Sequence, residues 1–167
     1  MPGVRLNLLR HAKAQQAGPS DHQREVVQIA REQCARVAHD LLTRDRVPEL
    51  VLCSTAVRAQ QTWELVAASL PAANPRLRLL DSLYLAGIPD VLDALAQVPP
   101  QITDVLVVGH EPTMSETGHY LAGPESDPAA LAVVRTGLPT AALCLLDTES
   151  GWDHLVRGGA TLLGVAS

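Results

Sequence analysis

Short apolar runs alternate with amphipathic stretches along the chain. The runs predict strands at residues 4–9, 50–53, 77–80, 104–108 and 141–146, and those at 4–9, 50–53 and 104–108 are predicted to be buried. Between them, apolar residues recur every three or four positions, which predicts helices. These helices are placed at residues 26–44, 59–70 (ended by Pro71), 89–98, 113–122 and from Asp127 onward. Residues 15–24 are predicted to form a loop, and residues 154–157 a weak edge strand.

This alternation of strands and helices predicts the fold class. It is typical of α/β proteins, in which a largely parallel sheet carries helices on both faces. We therefore expect a three-layer α/β/α sandwich with a mostly parallel central sheet. The length of 167 residues is usual for one domain, so residues 1–167 are assigned to a single domain. Hydrophobic residues make up 47% of the chain and aromatic residues only 2%, so Leu, Val and Ala must build the core.

Basic and imidazole side chains stand where three of the predicted strands end. Arg10 and His11 follow the first strand, Arg58 comes shortly after the second, and His110 follows the strand at 104–108. Ligands of parallel α/β sheets bind at the carboxyl ends of the strands. We therefore expect these four side chains to face one cleft.

Two predicted helix starts lie at the same strand ends. Ser54 or Thr55 is expected to cap the helix that carries Arg58, and Thr113 and Glu116 have the spacing of a capping box. Arg58 opposes the positive end of its helix dipole, a penalty that a nearby anion would reverse. Helix N-termini together with guanidinium groups predict a phosphate-binding site.

Two histidines at a phosphate site indicate phosphoryl transfer through a histidine. A neutral imidazole can attack phosphorus in line and form a phosphohistidine, which water then hydrolyses. Arg10 and Arg58 would bind the equatorial oxygens, where charge accumulates in the transition state. Their charges would also disfavour protonation of His11, which keeps this ring nucleophilic near neutral pH.

The net charge and the cysteines make several classes of function improbable for this chain. The chain carries a formal net charge of −5, so we expect no binding to nucleic acid or to an anionic membrane. The three cysteines form no CxxC pair, and we find neither a signal peptide nor a membrane-spanning apolar run, so a cytoplasmic protein with reduced thiols is expected. The remaining histidines show no metal-ligand spacing, so we expect no metal and no other cofactor. These histidines are His22, His39, His119 and His154.

The segments around these residues resemble motifs of the histidine phosphatase superfamily, also called phosphoglycerate mutase-like. LLRHAKA resembles its Arg-His-Gly motif, CSTAVRAQQT its second-arginine motif, and VLVVGHEPTMS its second-histidine motif. DHQRE and LPTAALCLLD resemble segments of the SixA-like phosphohistidine phosphatase branch, and the resemblance covers about residues 4–147. It implies a phosphoglycerate mutase-like fold in which His11 is the nucleophile, Arg10 and Arg58 bind phosphate, and His110 stabilises the transition state.

The chain departs from that family pattern at several positions. Ala12 replaces the glycine after the catalytic histidine, and Glu111 follows the second histidine. We expect Glu111 to face solvent in a loop, the alternative being a proton donor. The glutamate that mutases and broad phosphomonoesterases of the superfamily use as an acid has no recognisable counterpart after Arg58, and Asp81 is the nearest candidate. Lys13 lies beside the site, either as a substrate contact or as an exposed loop residue.

The lack of a dedicated acid favours a substrate whose leaving group is easily protonated. Phosphohistidine is such a substrate, because its imidazole takes a proton from solvent. We therefore predict a metal-independent phosphatase that acts on a phosphorylated protein. A small phosphorylated metabolite as the substrate, and a non-catalytic phosphate-binding domain, are the open alternatives. A cysteine phosphatase is disfavoured, because the four residues between Cys53 and Arg58 are one too few for the motif of that class.

Overall fold

The computed structural model describes residues 3–70 and 74–167, and within them six strands and five α helices follow one another. The strands are β1 (Val4–Arg10), β2 (Leu50–Ser54), β3 (Arg76–Leu80), β4 (Asp104–Gly109), β5 (Leu143–Thr148) and β6 (Thr161–Ala166). The helices are α1 (Ala30–Thr43), α2 (Val57–Ala68), α3 (Ile88–Ala96), α4 (Thr113–Leu121) and α5 (Pro128–Thr136). Pro71, which we expected to end the second helix, lies outside the described residues. Across those two ranges, every helix is too short or too polar to cross a membrane.

One six-stranded sheet, in the order β3-β2-β4-β1-β5-β6, forms the centre of the fold. β1, β2, β3 and β4 are mutually parallel, whereas β5 runs antiparallel to both β1 and β6. Arg10 at the end of β1 pairs with Gly109, and Cys53 near the end of β2 pairs with Val108. The carboxyl ends of β1, β2 and β4 therefore lie side by side at one edge of the sheet. The predicted α/β fold with a mostly parallel sheet is confirmed.

Helices cover both faces of this sheet. Side chains of α1 and α2 pack with one face, which includes Leu9 and Val108. Side chains of α3, α4 and α5 pack with the other face, which includes Leu8 and Val107. Neighbouring strand residues thus point into different layers, which explains why the fully buried strands β2 and β4 are apolar over most of their length rather than alternating. The three-layer arrangement agrees with the sequence-based prediction.

The predicted edge strand at residues 154–157 is wrong. The chain there forms a short 3₁₀ turn, Trp152–His154, and the edge strand is β6, which follows it. The indole of Trp152 is buried and donates a hydrogen bond to the carbonyl of Ile102 at 2.6 Å, so this aromatic residue fixes a turn. β6 was missed because Gly164 interrupts its apolar pattern.

Helix α1 begins at Ala30 rather than at residue 26, because the preceding residues bond elsewhere. The amide of Val26 donates to the side chain of Gln61, and the amide of Val27 donates to the carbonyl of Lys13. The apolar residues before α1 therefore belong to the loop after β1. This loop is consequently held against α2, close to the end of β1 where the predicted site lies.

Candidate active site

The edge where β1, β2 and β4 end brings the four predicted side chains together. His11 and His110 have ring centroids 5.3 Å apart, with their planes inclined at 56°. The charges of Arg58 and Arg10 both act on the His11 ring, and the charge of Arg58 acts on His110 as well. Two imidazoles and two guanidinium groups, contributed by three separate segments of the chain, therefore share one site.

His11 is held in a single tautomer by the backbone of the next residue. Its Nδ1 lies 2.7 Å from the carbonyl oxygen of Ala12, which can only accept, so Nδ1 carries the proton in the neutral ring. The lone pair is consequently on Nε2. Burial lowers the pKa of His11 to about 4, the charges of Arg58 and Arg10 act in the same direction, and the bond to Ala12 opposes them. His11 is therefore neutral, with its Nε2 available as a nucleophile, at physiological pH.

Ala12, which replaces the glycine of the family motif, uses its backbone amide for a hydrogen bond within the protein. Ala12 is fully buried, and its amide donates to the hydroxyl oxygen of Thr62 at 2.9 Å. The Thr62 hydroxyl in turn donates to the carbonyl of Arg58 at 2.7 Å. These two bonds fix the backbone after His11 to the first turns of α2, so Ala12 acts in holding His11 and Arg58 together.

Arg10 is held by the loop that precedes β5. Its Nη1 donates to the carbonyl of Leu138 at 2.6 Å, whereas its Nε is buried and has no hydrogen-bond partner in residues 3–70 and 74–167. The loop itself is fixed to the end of β1, because the amide of Ala141 donates to the carbonyls of Arg10 and His11. Ala141 has a φ of 57°, outside the strand region, which is why β5 begins at Leu143 rather than at residue 141 as predicted.

Arg58 lies in the first turn of α2 and is bound by a residue that the sequence analysis did not single out. Its Nη1 donates to the carbonyl of Asp21 at 2.7 Å, and its Nη2 donates to the Asp21 carboxylate at 3.2 Å. The Nε of Arg58 is buried and has no hydrogen-bond partner among the described residues. Asp21 thus holds the guanidinium by its outer nitrogens and leaves the Nε edge for another acceptor.

The carboxylate of Asp21 also joins two further side chains to the site. Its Oδ2 accepts from the hydroxyl of Tyr84 at 2.5 Å, and its Oδ1 accepts from Nε of Arg24 at 3.0 Å. These contacts, led by the Tyr84 hydrogen bond, lower the pKa of Asp21 to about 2. The DHQRE segment that contains Asp21 and Arg24 was noted only for its resemblance to the family, and that resemblance was the available signal.

His110 contacts the residue that ends β2. Its Nε2 lies 2.8 Å from the hydroxyl oxygen of Ser54, and its Nδ1 is buried without a hydrogen-bond partner. Burial lowers the pKa of His110 to about 3, with further contributions from His11 and Arg58, so the ring is neutral at physiological pH. The ring of Tyr84 meets His110 edge-on, with centroids 5.8 Å apart.

The unpartnered nitrogens of this site set it apart from the rest of the protein. Over residues 3–70 and 74–167, four buried side-chain polar atoms lack a hydrogen-bond partner, and three of these are Nε of Arg10, Nε of Arg58 and Nδ1 of His110. The fourth belongs to Asp104 at the start of β4, where it lies 2.6 Å from the guanidinium of Arg5. Buried donors are almost always paired, so three such nitrogens in one site are suited to an anion with several acceptor oxygens.

Comparisons with known proteins agree with this geometry. No family model matches the chain. An uncharacterized protein of Mycobacterium tuberculosis, Rv1276c, is 32% identical over 158 residues, which are 93% of this chain and 97% of the relative. A protein of Nakamurella multipartitia that is assigned as the phosphohistidine phosphatase SixA is 29% identical and superimposes with a TM-score of 0.86, covering 100% of this chain and 97% of that one. The chain belongs to the histidine phosphatase superfamily.

A second solved structure supports the same assignment of this histidine phosphatase. A protein assigned as SixA from Agrobacterium tumefaciens is 28% identical, with a TM-score of 0.80 over 100% of this chain and 99% of that one. The superfamily resemblance read from the sequence motifs is therefore confirmed, and the fold is phosphoglycerate mutase-like.

Contrary to the prediction from the sequence, Glu111 of the histidine phosphatase does not face solvent in a loop. It is half-buried rather than facing solvent, and its carboxylate accepts from the amide and the hydroxyl of Ser115 and from the amide of Leu138. Glu111 therefore caps α4 and holds the loop that binds Arg10. The predicted capping box is wrong, because Thr113 instead donates its hydroxyl proton to the carbonyl of Ala86.

The remaining candidate residues of the phosphatase lie outside the cluster of four. Asp81 is exposed, and its carboxylate accepts from the hydroxyl of Thr55 at 2.6 Å. Thr55 therefore does not cap α2, and Ser54 accepts from the amide of Ala56 just before the helix begins. Lys13 is exposed; its amide donates to the side chain of Gln33 in α1, and its carbonyl accepts from the amide of Val27.

Within the described residues, the phosphatase site contains neither a group of metal-ligating side chains nor an ionised thiol. Groups of three or more potential metal-ligating side chains are absent from the part of the chain that the structure describes. Cys53 is fully buried in β2, and burial raises its pKa to about 12, so it is a thiol at physiological pH. The interpretation of Cys53 as a buried strand residue rather than a nucleophile therefore agrees with the structure.

The depressed pKa of His11 predicts the pH range in which the phosphatase works. As the nucleophile expected from the sequence, His11 could attack only as a neutral ring, so we expect activity above its pKa and loss of activity as the pH falls through about 4, rather than through 6.5. A titration of the His11 ring protons by NMR, paired with the pH dependence of kcat/KM, measures this. A His11 ring that becomes protonated near pH 6.5 would contradict the predicted effect of burial.

Proposed function

We propose that this phosphatase hydrolyses phosphohistidine on a protein through a covalent phosphohistidine at His11. The observation that supports the proposal is the position of a neutral His11, with its Nε2 lone pair available, beside three buried nitrogens that have no partner. Nε of Arg10 and Nε of Arg58 would bind the phosphoryl oxygens, and His110 would donate a further hydrogen bond as charge accumulates on them.

Two displacements at phosphorus make up the proposed reaction. First, Nε2 of His11 forms a bond to phosphorus while the bond from phosphorus to the substrate imidazole breaks, and that imidazole takes a proton from water. Second, a water molecule attacks the phosphohistidine, the bond to Nε2 breaks, and inorganic phosphate leaves. His11 returns to the neutral state with its proton on Nδ1, still bound to the carbonyl of Ala12.

The carboxylates near the site support a substrate that needs no protein acid. Asp21, bound to Tyr84, Arg58 and Arg24, has a pKa of about 2 and is ionised. Both oxygens of the Glu111 carboxylate accept hydrogen bonds, from Ser115 and Leu138, so this carboxylate has a structural role. An alkoxide leaving group would lack a proton donor among these groups, whereas a departing imidazole is protonated by water.

The cysteines support the cytoplasmic location that we propose for the protein. Cys34, Cys53 and Cys144 are all unbridged and buried. Reduced thiols of this kind are usual for proteins of reducing compartments.

A panel of substrates tests the proposed specificity. We expect efficient release of phosphate from a phosphohistidine peptide, weaker hydrolysis of 4-nitrophenyl phosphate, and little hydrolysis of glycerol phosphate. The order follows leaving-group ability, because the site provides no acid. Comparable kcat/KM values for glycerol phosphate and the phosphohistidine peptide would reject this proposal in favour of a small-molecule phosphomonoesterase.

A further inference from the structure

We infer that Ser54 is a positioning residue that sets which nitrogen of His110 carries the proton. Ser54 ends β2, is fully buried, and places its hydroxyl oxygen 2.8 Å from Nε2 of His110. The inference rests on the proposed function for its effect on catalysis. The proton position itself is a property of the protein alone and can be measured without any substrate.

The hydrogen bonds of Ser54 determine the direction of its bond to His110. A serine hydroxyl has one proton to donate, and its oxygen can also accept. The amide of Ala56 donates to this oxygen at 3.2 Å, which accounts for one lone pair. Within the described residues, Nε2 of His110 is the acceptor in reach of the buried hydroxyl proton. Ser54 therefore donates to Nε2, because the reverse arrangement would leave its own proton buried and unpaired.

The other ring nitrogen then has to be the donor. With Nε2 accepting from Ser54, the proton of the neutral His110 ring is on Nδ1. Nδ1 is the buried atom that has no partner, and it lies in the site that also contains Nε of Arg10 and Nε of Arg58. All three unpartnered nitrogens of the site are thereby N–H donors. The opposite tautomer would present a lone pair on Nδ1, which repels a phosphoryl oxygen.

The arrangement also opposes protonation of His110. A doubly protonated ring would have to donate from Nε2, and Ser54 would then have no acceptor for its own proton. His110 is accordingly a neutral hydrogen-bond donor rather than a proton donor to the leaving group. His11 and His110 are therefore held as neutral rings with opposite roles, since His11 presents a lone pair and His110 presents an N–H.

The direct test is ¹⁵N NMR of the histidine ring nitrogens in the protein without substrate. We expect His110 to show a protonated Nδ1 and an unprotonated Nε2 at neutral pH. In Ser54→Ala, the proton should redistribute toward Nε2. A His110→Gln variant assigns the signals. A wild-type His110 with its proton on Nε2 overturns the inference, and this result does not depend on whether Ser54→Ala folds or on whether the proposed reaction is correct.

A double-mutant cycle separates positioning from general structural support. Ser54→Ala should lower kcat by about tenfold to a hundredfold, the range found when a residue that orients a metal-ligating histidine is lost, with a smaller effect on KM. In the His110→Gln background, the same change should alter kcat by less than about twofold. An equal loss in both backgrounds would mean that Ser54 acts independently of His110 and would overturn its positioning role.

A matched serine controls for the loss of a buried hydroxyl. Ser126 is also buried, and its hydroxyl oxygen accepts from the amide of Leu162 in β6, away from the site. Ser126→Ala should lower thermal stability without changing kcat or the His110 tautomer. A loss of activity in this control equal to that of Ser54→Ala would also argue against a specific role for Ser54.

Discussion

Replacing His11 with alanine is expected to abolish turnover while leaving the fold intact. The loss in kcat should reach at least about four orders of magnitude, because the proposed nucleophile is removed and covalent catalysis with it. The fold should survive, since the side chain of His11 makes one hydrogen bond, to the neighbouring carbonyl of Ala12. Circular dichroism and single-turnover phosphate release measure the two parts of this prediction.

The control for His11→Ala is a histidine on the surface. His39 is exposed on α1, so His39→Ala should keep wild-type activity. Mass spectrometry of the wild-type enzyme, quenched during turnover, should find the phosphoryl group on His11 and on no other histidine. Wild-type rates in His11→Ala, or a phosphoryl group on His110, would show that the nucleophile has been assigned incorrectly.

Replacing Arg58 with alanine should have the second largest effect. This guanidinium is nearly fully buried, and its Nε is one of the three unpartnered nitrogens of the site. Its loss removes a fixed donor and a positive charge from the place where phosphoryl oxygens develop charge, which should lower kcat/KM by about a thousandfold. Arg58→Lys should recover only part of this loss, because a lysine keeps the charge without the planar Nε edge.

An exposed arginine provides the control for Arg58. Arg36 is exposed on α1, and Arg36→Ala changes the net charge equally without touching the site. Inhibition by vanadate, a tetrahedral oxyanion, should weaken strongly in Arg58→Ala and stay unchanged in Arg36→Ala. Unchanged vanadate inhibition in Arg58→Ala would show that this guanidinium does not bind the oxyanion.

The sequence was most informative about the ends of the central strands. β2 and β4 are buried on both faces and are nearly continuous apolar runs, whereas β1 also contains Arg5 and Asn7, and each of the three strands ends at or next to a polar residue. Parallel strands end at the same edge of a sheet, and this rule alone placed His11, Arg58 and His110 in one cleft. The local sequence pattern and this rule of topology were sufficient to place these residues, because each of them lies at or just after the end of a strand.

Contacts made by loops could not be predicted in the same way. Asp21 binds Arg58 across 37 positions of the chain, and Glu111 binds Leu138 across 27. A loop carboxylate has no periodic pattern, and its partner depends on how the loop folds back over the sheet. Glu111 was accordingly expected in solvent, whereas tertiary packing gave its oxygens three donors. The residues that orient the site were therefore less predictable than the residues proposed to bind substrate.

The antiparallel direction of β5 means that loops at the two ends of the sheet should differ in whether they tolerate an insertion. Because β5 is antiparallel, the loop that precedes it, residues 137–142, arrives beside the edge that carries the candidate site and contributes the carbonyl that binds Arg10. The connection to β6 turns at the opposite end, where residues 153–157 are largely exposed. A reporter peptide inserted in that distal turn would leave the spacing around Arg10 unchanged, whereas a single added residue before β5 would displace it.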